Sequence, residues 1–226
     1  ARTIHAAVRV SAAGDTIVVG PGVYAITSTI VLPGRVTLIS KLGAADTTIQ
    51  GNGKVRCVFM SKAKSTLDGF TITGGGTIGN GAGVYCNNGQ VLNCVISSNH
   101  ATGAQEPCGG GVYAFNYSVI SNCLVEANSV VGSNEEPIFD FASGGGIYAH
   151  QSDVILCDIW RNWVQAKNEA SGGGLFCNRL IDSCRVGGNT ATGGAYASGG
   201  GVYSDVGGGL RNCLVIGNYA YVNRGD

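Results

Sequence analysis

Apolar and polar residues alternate in short runs along most of the chain, and the runs return at a nearly constant interval. Val84-Tyr85-Cys86, Val112-Tyr113-Ala114, Ile147-Tyr148-Ala149, Leu175-Phe176-Cys177 and Val202-Tyr203-Ser204 share one pattern. A period of two marks a strand with one buried face. If the first residue of each run points inward, so does the small third residue, and the aromatic between them faces out. A second set of runs places Ile96, Val125, Ile159, Val186 and Val215 inward. Their neighbours Val95, Leu124, Asp158, Arg185 and Leu214 then face solvent, and Asp158 beside Arg185 on adjacent coils predicts a modest surface ion pair.

Fixed punctuation frames these runs. A small-residue step opens each unit: Gly81-Ala82-Gly83, Gly109 to Gly111, Gly144 to Gly146, Gly172 to Gly174 and Gly199 to Gly201. A cysteine follows (Cys94, Cys123, Cys157, Cys184, Cys213), and five residues past each cysteine comes Asn99, Asn128, Asn162, Asn189 or Asn218. The cysteine-to-cysteine interval varies as 29, 34, 27 and 29. Constant spacing inside a unit with variable length between units predicts stacked strands joined by tolerant loops. Ala101 to Pro107 and Val131 to Ser143 are the longest and most polar of these loops. A unit of about 28 residues with three short strands is one turn of a parallel β-helix. A leucine-rich repeat has a similar period, but its L-x-x-L-x-L signature is absent and it has no use for glycine triplets.

Ahead of the repeats, Thr3 to Ala13 is expected as a short helix with Ile4, Ala7 and Val8 on one face and Gly14 just past its end. Such a helix would cap the first coil. Strands are expected at Thr16–Val19, Thr29–Leu32, Val36–Ile39, Thr47–Gln50, Val55–Met60 and Gly69–Thr73. The chain is thus one all-β domain over 1–226, a solenoid of about seven to eight coils. Residues 1–15 form the cap, 16–80 the first coils and 81–226 the five repeats. No equivalent cap follows the last repeat, so either a longer protein continues or the last coil meets a partner. The asparagines are expected at a bend, each bonded to its equivalent one coil away.

Composition sharpens this picture. The 38 glycines fit many tight turns, and the charged fraction of 12% with zero net charge gives no reason to expect nucleic acid. No apolar run approaches the roughly 20 residues of a membrane span. The nine cysteines contain no C-x-x-C pair, against structural zinc. Stacked cysteines fit buried free thiols, or staples such as Cys94 with Cys123 or Cys184 with Cys213.

The opening Gly14-Asp15-Thr16-Ile17-Val18-Val19 with Pro21-Gly22-Val23-Tyr24 resembles the first coil of the right-handed parallel β-helix superfamily, the pectate-lyase-like fold. The Gly-Gly-Gly-Val-Tyr units ending in Asn-Cys-x-x-x-x-Asn resemble repeats of its bacterial secreted and surface members. The resemblance covers essentially the whole chain and implies a right-handed solenoid exported to the cell surface or beyond. It does not choose an activity, since the superfamily holds pectate lyases, polygalacturonases, epimerases, tailspikes, autotransporter passengers and adhesins.

Tyr85, Tyr113, Tyr148, Phe176 and Tyr203 form the leading candidate site, an outward stripe that either binds sugar rings or a protein, or merely shields the sheet. The acids Glu126, Glu135, Glu136, Asp140, Asp153, Asp158, Glu169, Asp182 and Asp205 are dispersed. Glu135, Glu136 and Asp140 share the longest loop, where a site could form or a solvated face could lie. His5, His100 and His150 show no metal-ligand spacing. Asn116-Tyr117-Ser118 and Arg224-Gly225-Asp226 match short motifs too common to weigh. The expectation is a non-catalytic extracellular solenoid without cofactor or metal: a surface protein, adhesin or self-assembling structural protein. Its partners would be further copies, a polysaccharide or a cell surface. The alternative is a polysaccharide lyase or glycoside hydrolase.

Overall fold

A computed structural model describes residues 3–61, 64–103, 106–133 and 141–223. Among them are one helix and thirty-two short strands, and every strand pairing is parallel. The chain winds as a parallel β-solenoid of about seven turns, with eight strands in each of its two longest sheets.

One coil shows the plan. Val84–Asn87 lies in the first sheet, Gln90–Leu92 in the second, Val95–Ser97 in the third and His100–Gly103 in the fourth. Val112–Phe115 then returns beside Val84–Asn87, pairing Val84 with Val112, Tyr85 with Tyr113 and Cys86 with Ala114. This coil therefore carries four strands, not three, whereas the first two coils, Thr16 to Val31 and Thr37 to Met60, carry three. The fourth runs through segments expected as loops: His100–Gly103 and Ser129–Gly132 are strands. Phe141–Ser143 is also a strand, pairing with Glu169–Ser171 and then Tyr196–Ser198 in a short fifth sheet. Gly22–Ala25, Thr66–Asp68 and Gly76–Ile78 are further strands that alternation did not reveal. Thr47–Gln50 and Thr16–Val19 lie where expected.

Corners are made by single residues in the left-handed region. Between the second and third sheets these are Asn93, Asn122, Leu156, Ser183 and Asn212, with φ of 52, 53, 55, 55 and 54°. The repeated cysteine follows each. Between the third and fourth sheets Ser98, Ala127, Arg161, Gly188 and Gly217 take the same role, each followed by the repeated asparagine. Asparagine and glycine tolerate this conformation best, whereas leucine and arginine are strained in it. The first glycine of each triplet turns the chain back into the first sheet, with φ of 65° at Gly109 and 64° at Gly144.

The inward assignments hold through the middle coils. Val84, Val112, Ile147 and Leu175 are fully buried, as are Cys86, Ala114, Ala149 and Cys177 and the third-sheet series Ile96, Val125, Ile159 and Val186. Each branched side chain removed from water contributes roughly 1.5–3 kcal/mol. Ser204 and Val215 keep this register in the last coil but are exposed there, since no described strand lies beyond them. A second, smaller core of Ala82, Ala101, Val130, Ala142, Val164, Ala166, Ala170 and Ala191 lines the fourth and fifth sheets. The helix covers the other end. It is shorter than expected, Ile4–Val10, with Thr3 Oγ1 accepting from the Ala6 amide as N-cap. Ile4 and Val8 are buried against the first coil, while Ala7 is half-buried.

Candidate functional site

The five outward aromatics do stack, and Phe59 extends the column by one ring. Successive centroids lie 4.7 Å (Phe59–Tyr85), 5.2 Å (Tyr85–Tyr113), 5.2 Å (Tyr113–Tyr148), 4.5 Å (Tyr148–Phe176) and 5.5 Å (Phe176–Tyr203) apart. The middle rings are nearly coplanar in orientation, with 5° between Tyr113 and Tyr148 and 10° between Tyr148 and Phe176. Strands about 4.8 Å apart force this spacing, which is close to a stacking distance. Its consequence is chemical: each inner ring has both faces covered by its neighbours, and all five residues are only half-exposed. Phe115 packs edge-on to Tyr85 at 5.4 Å, and Arg56 closes the near end, 5.2 Å from the Phe59 centroid and 5.1 Å from that of Tyr85. Its guanidinium donates to the carbonyls of Asn80 (2.6 Å) and Gly81 (2.9 Å). Burial pushes the Tyr148 hydroxyl well above its ordinary range and also raises Tyr113 and Tyr85, the last opposed by Arg56. A sugar needs an open ring face to pack against, and this stripe presents edges.

The asparagine column is buried and fully engaged. Asn128 Nδ2 donates to Asn162 Oδ1 at 3.0 Å and to the Ile96 carbonyl at 2.8 Å, while its backbone amide also donates to Asn162 Oδ1 at 2.9 Å. Asn99, Asn162 and Asn189 repeat the arrangement, and Asn218 accepts the last pair of bonds. The third glycine of each triplet exists for this ladder. A Cβ on Gly146 would lie 2.8 Å from Cγ and Nδ2 of Asn162, and one on Gly111 3.0 Å from the same atoms of Asn128.

All nine cysteines are free, and eight are buried. In the repeated column each thiol donates to the carbonyl two residues earlier, Cys123 to Ser121 at 3.2 Å and Cys184 to Asp182 at 3.3 Å. Hydrogen bonds to Cys157 and Cys94 hold Cys123 well above the ordinary thiol range. Burial lifts Cys57 and Cys108 to about 12 and Cys86 and Cys177 to about 11. Cys57, Cys86, Cys108 and Cys177 are thus inert core groups rather than nucleophiles.

Four of the dispersed acids share one fate. Glu126 pairs with Arg161 at 2.7 Å, Asp153 with Arg179 at 3.0 Å, Asp158 with Arg185 and Asp182 with Arg211. In every case the arginine belongs to the next coil. The Asp158 carboxylate also accepts from Arg185 Nε at 2.6 Å, as the alternation predicted. Arg211, with Asn212 and Ser183, holds the Asp182 carboxyl below its ordinary range. Glu135, Glu136, Asp140 and the Arg224-Gly225-Asp226 tripeptide lie outside the described residues. Among the described residues no three His, Cys, Asp or Glu side chains group as metal ligands. His5 bonds the Ser28 carbonyl at 2.9 Å and His100 bonds Ser129 Oγ at 2.7 Å, so the histidines serve separate elements. No helix of the described residues is long and apolar enough to cross a membrane.

The fourth sheet, which alternation did not reveal, carries a cavity. A groove of about 460 Å³ crosses its strands, lined by Gln165, Lys167, Thr192 and Asn223 above the backbone of Gly193 and Gly194. Beside it, the outward register runs His100, Ser129, Trp163, Thr190, Tyr219, so aromatic and small hydroxyl residues alternate coil by coil.

No family model matches the chain, and no curated protein matches it in sequence. In structure it is similar to ORF18 of Geobacillus virus E2, with a TM-score of 0.34 and 15% identity over 94% of this chain. The chain spans 56% of the length of that protein.

Arranged this way, Glu126, Asp153, Asp158 and Asp182 tie neighbouring coils together, and the stacked rings of the aromatic column do the same.

Proposed function

We propose that the chain is a non-catalytic structural solenoid, a stiff extracellular scaffold that presents faces rather than a reaction centre. One observation carries this reading: Glu126, Asp153, Asp158 and Asp182 are each neutralised by an arginine one coil further on. Polysaccharide hydrolysis needs two carboxyl groups with different tasks, one of them kept protonated by its surroundings. Asp182 is shifted the opposite way, by Arg211. Carboxylates clamped by guanidinium groups stabilise stacking and are poor proton donors. The extracellular placement rests on the likeness of the Gly-Gly-Gly-Val-Tyr units to bacterial surface repeats, and self-assembly on the pairing capacity of open coil edges.

The test is turnover. Purified protein is incubated with polygalacturonate, alginate and a neutral glucan, and both unsaturated products and new reducing ends are followed. No product is expected. Product that disappears in Glu126→Gln or Asp158→Asn would overturn the proposal. Electron microscopy and light scattering at rising concentration test assembly, and a strictly monomeric particle would remove that part of it.

A further inference from the structure

We propose that the second sheet carries a binding site for a small aromatic carboxylate, seated in a hollow against the ring of Tyr117. The hollow follows from side-chain length. Lys64, Asn88 and Tyr117 hold equivalent left-handed corners on three successive coils, with φ of 66, 50 and 63°. Two positions on, Thr66, Gln90 and Val119 pair in register across the sheet. A short asparagine, followed by Gly89 with no side chain, therefore lies between a long lysine and a tyrosine. The space left over that middle coil measures about 240 Å³ and is lined by these seven residues. It lies inside the sheet rather than at an end, since Thr37–Ser40 pairs beyond Thr66 and Asp153–Ile155 beyond Val119.

The walls choose the ligand. Tyr117 is 65% exposed, and the Arg179 guanidinium lies over its ring, 5.3 Å from the centroid, while also pairing with Asp153 at 3.0 Å. That guanidinium adds positive potential at the tyrosine wall. The opposite wall carries the Lys64 ammonium, which has no acidic partner among the described residues, whereas Arg161, Arg179, Arg185 and Arg211 each have one. The acid on the lysine's side, Asp68, is not part of the lining and accepts from Asn93 Nδ2 at 2.7 Å. Gln90 Oε1 accepts from Thr66 Oγ1 at 3.4 Å, which leaves the Gln90 amide group to donate into the hollow. An apolar Val119, an aromatic ring, an ammonium and an amide donor together suit one flat ring bearing a carboxylate. The ring packs on Tyr117 and Val119, and the carboxylate accepts from Lys64 Nζ and Gln90 Nε2. A volume just below the usual span of drug-sized sites limits the occupant to about one ring.

This binding needs neither turnover nor assembly, so it stands apart from the scaffold reading and is measured separately. Saturation-transfer NMR on the intact protein follows benzoate, its neutral counterpart benzamide, and acetate, which lacks the ring. Transfer to the benzoate ring protons is expected, with benzamide and acetate bound at least about fivefold more weakly. Tyr117→Asn removes the ring while placing at φ 63° a residue that tolerates it, so the fold survives the loss, as circular dichroism verifies. Both Tyr117→Asn and Lys64→Gln should weaken benzoate by about fivefold or more, and Lys64→Gln should also bring benzoate and benzamide to within about twofold of each other. Tyr148→Leu, on the first sheet, should leave benzoate binding within about twofold. Absence of transfer at millimolar benzoate would overturn the proposal, as would equal binding of benzamide by the unmodified protein. Binding unchanged in either Tyr117→Asn or Lys64→Gln, or lost in Tyr148→Leu, would do the same.

Discussion

Replacing Asn162 with alanine isolates the asparagine ladder, because the ladder's bonds can be counted there. Asn162 Oδ1 accepts from the Asn128 backbone amide (2.9 Å) and side-chain amide (3.0 Å), and its Nδ2 donates to the Val125 carbonyl (2.9 Å) and Asn189 Oδ1 (3.1 Å). Asn189 Oδ1 keeps one donor after the substitution, the Asn162 backbone amide at 2.8 Å. Two donors of Asn128 are left without this acceptor in a fully buried site. At about 1–3 kcal/mol for each orphaned buried group, the expected cost is roughly 4 kcal/mol. Asn218→Ala removes the same two kinds of bond from Asn189, but water reaches that position, so its cost should be nearer about 1 kcal/mol. Guanidinium unfolding followed by far-ultraviolet dichroism measures both, and a broadened transition for Asn162→Ala would show the solenoid splitting at the defect. Equal costs at the two positions, or less than about 1 kcal/mol at Asn162, would refute the claim that ladder burial sets the stability of the middle coils.

Other substitutions probe the glycines, the corners and the core thiols. Gly146→Ala would put a methyl 2.7 Å from the Gly174 carbonyl oxygen as well as against Asn162, and an overpacking cost of about 1–3 kcal/mol is expected from the same unfolding curves. Leu156→Asn should do the reverse: Leu156 is exposed at φ 55°, and relieving it is expected to stabilise by about 1 kcal/mol, a rise of roughly 2–4 °C in Tm by calorimetry. The eight buried thiols should ignore a thiol reagent at neutral pH and react only after denaturation, while the partly exposed Cys213 reacts in the folded protein. Because Cys57, Cys86, Cys108 and Cys177 are raised in the folded protein to between about 11 and 12, unfolding releases protons above the ordinary thiol value of 9. Their contribution to stability is therefore complete below pH 9 and is lost as pH rises towards 12, which a series of denaturation midpoints across that window checks.

The repeats were legible because each is marked by chemistry at a corner. A glycine must sit under an asparagine amide, and a cysteine must follow a left-handed residue, so their spacing survives every change of coil length. The fourth sheet carries no such mark. Its strands bury few side chains, Ala101, Val130, Val164 with Ala166, and Ala191, because they pack closely on the glycine triplets. Alternation built largely on alanine is too faint to distinguish from a loop. Trp163 and Gln165 share an outward face only through lateral register with Thr190 and Thr192, which their own segment does not display. The aromatic stripe had the opposite fault: its regularity made it conspicuous, but the same regularity closes its faces.

The distance from asparagine to glycine triplet is the same in three coils, Asn99 to Gly109, Asn162 to Gly172 and Asn189 to Gly199, and longer in the fourth, Asn128 to Gly144. Neither ladder runs through that stretch. New peptide can therefore be spliced in at this one edge while every coil keeps its place on the axis, which makes the molecule a graduated rod. Position along it is set by counting turns, and reach outward from it by the length of the insert.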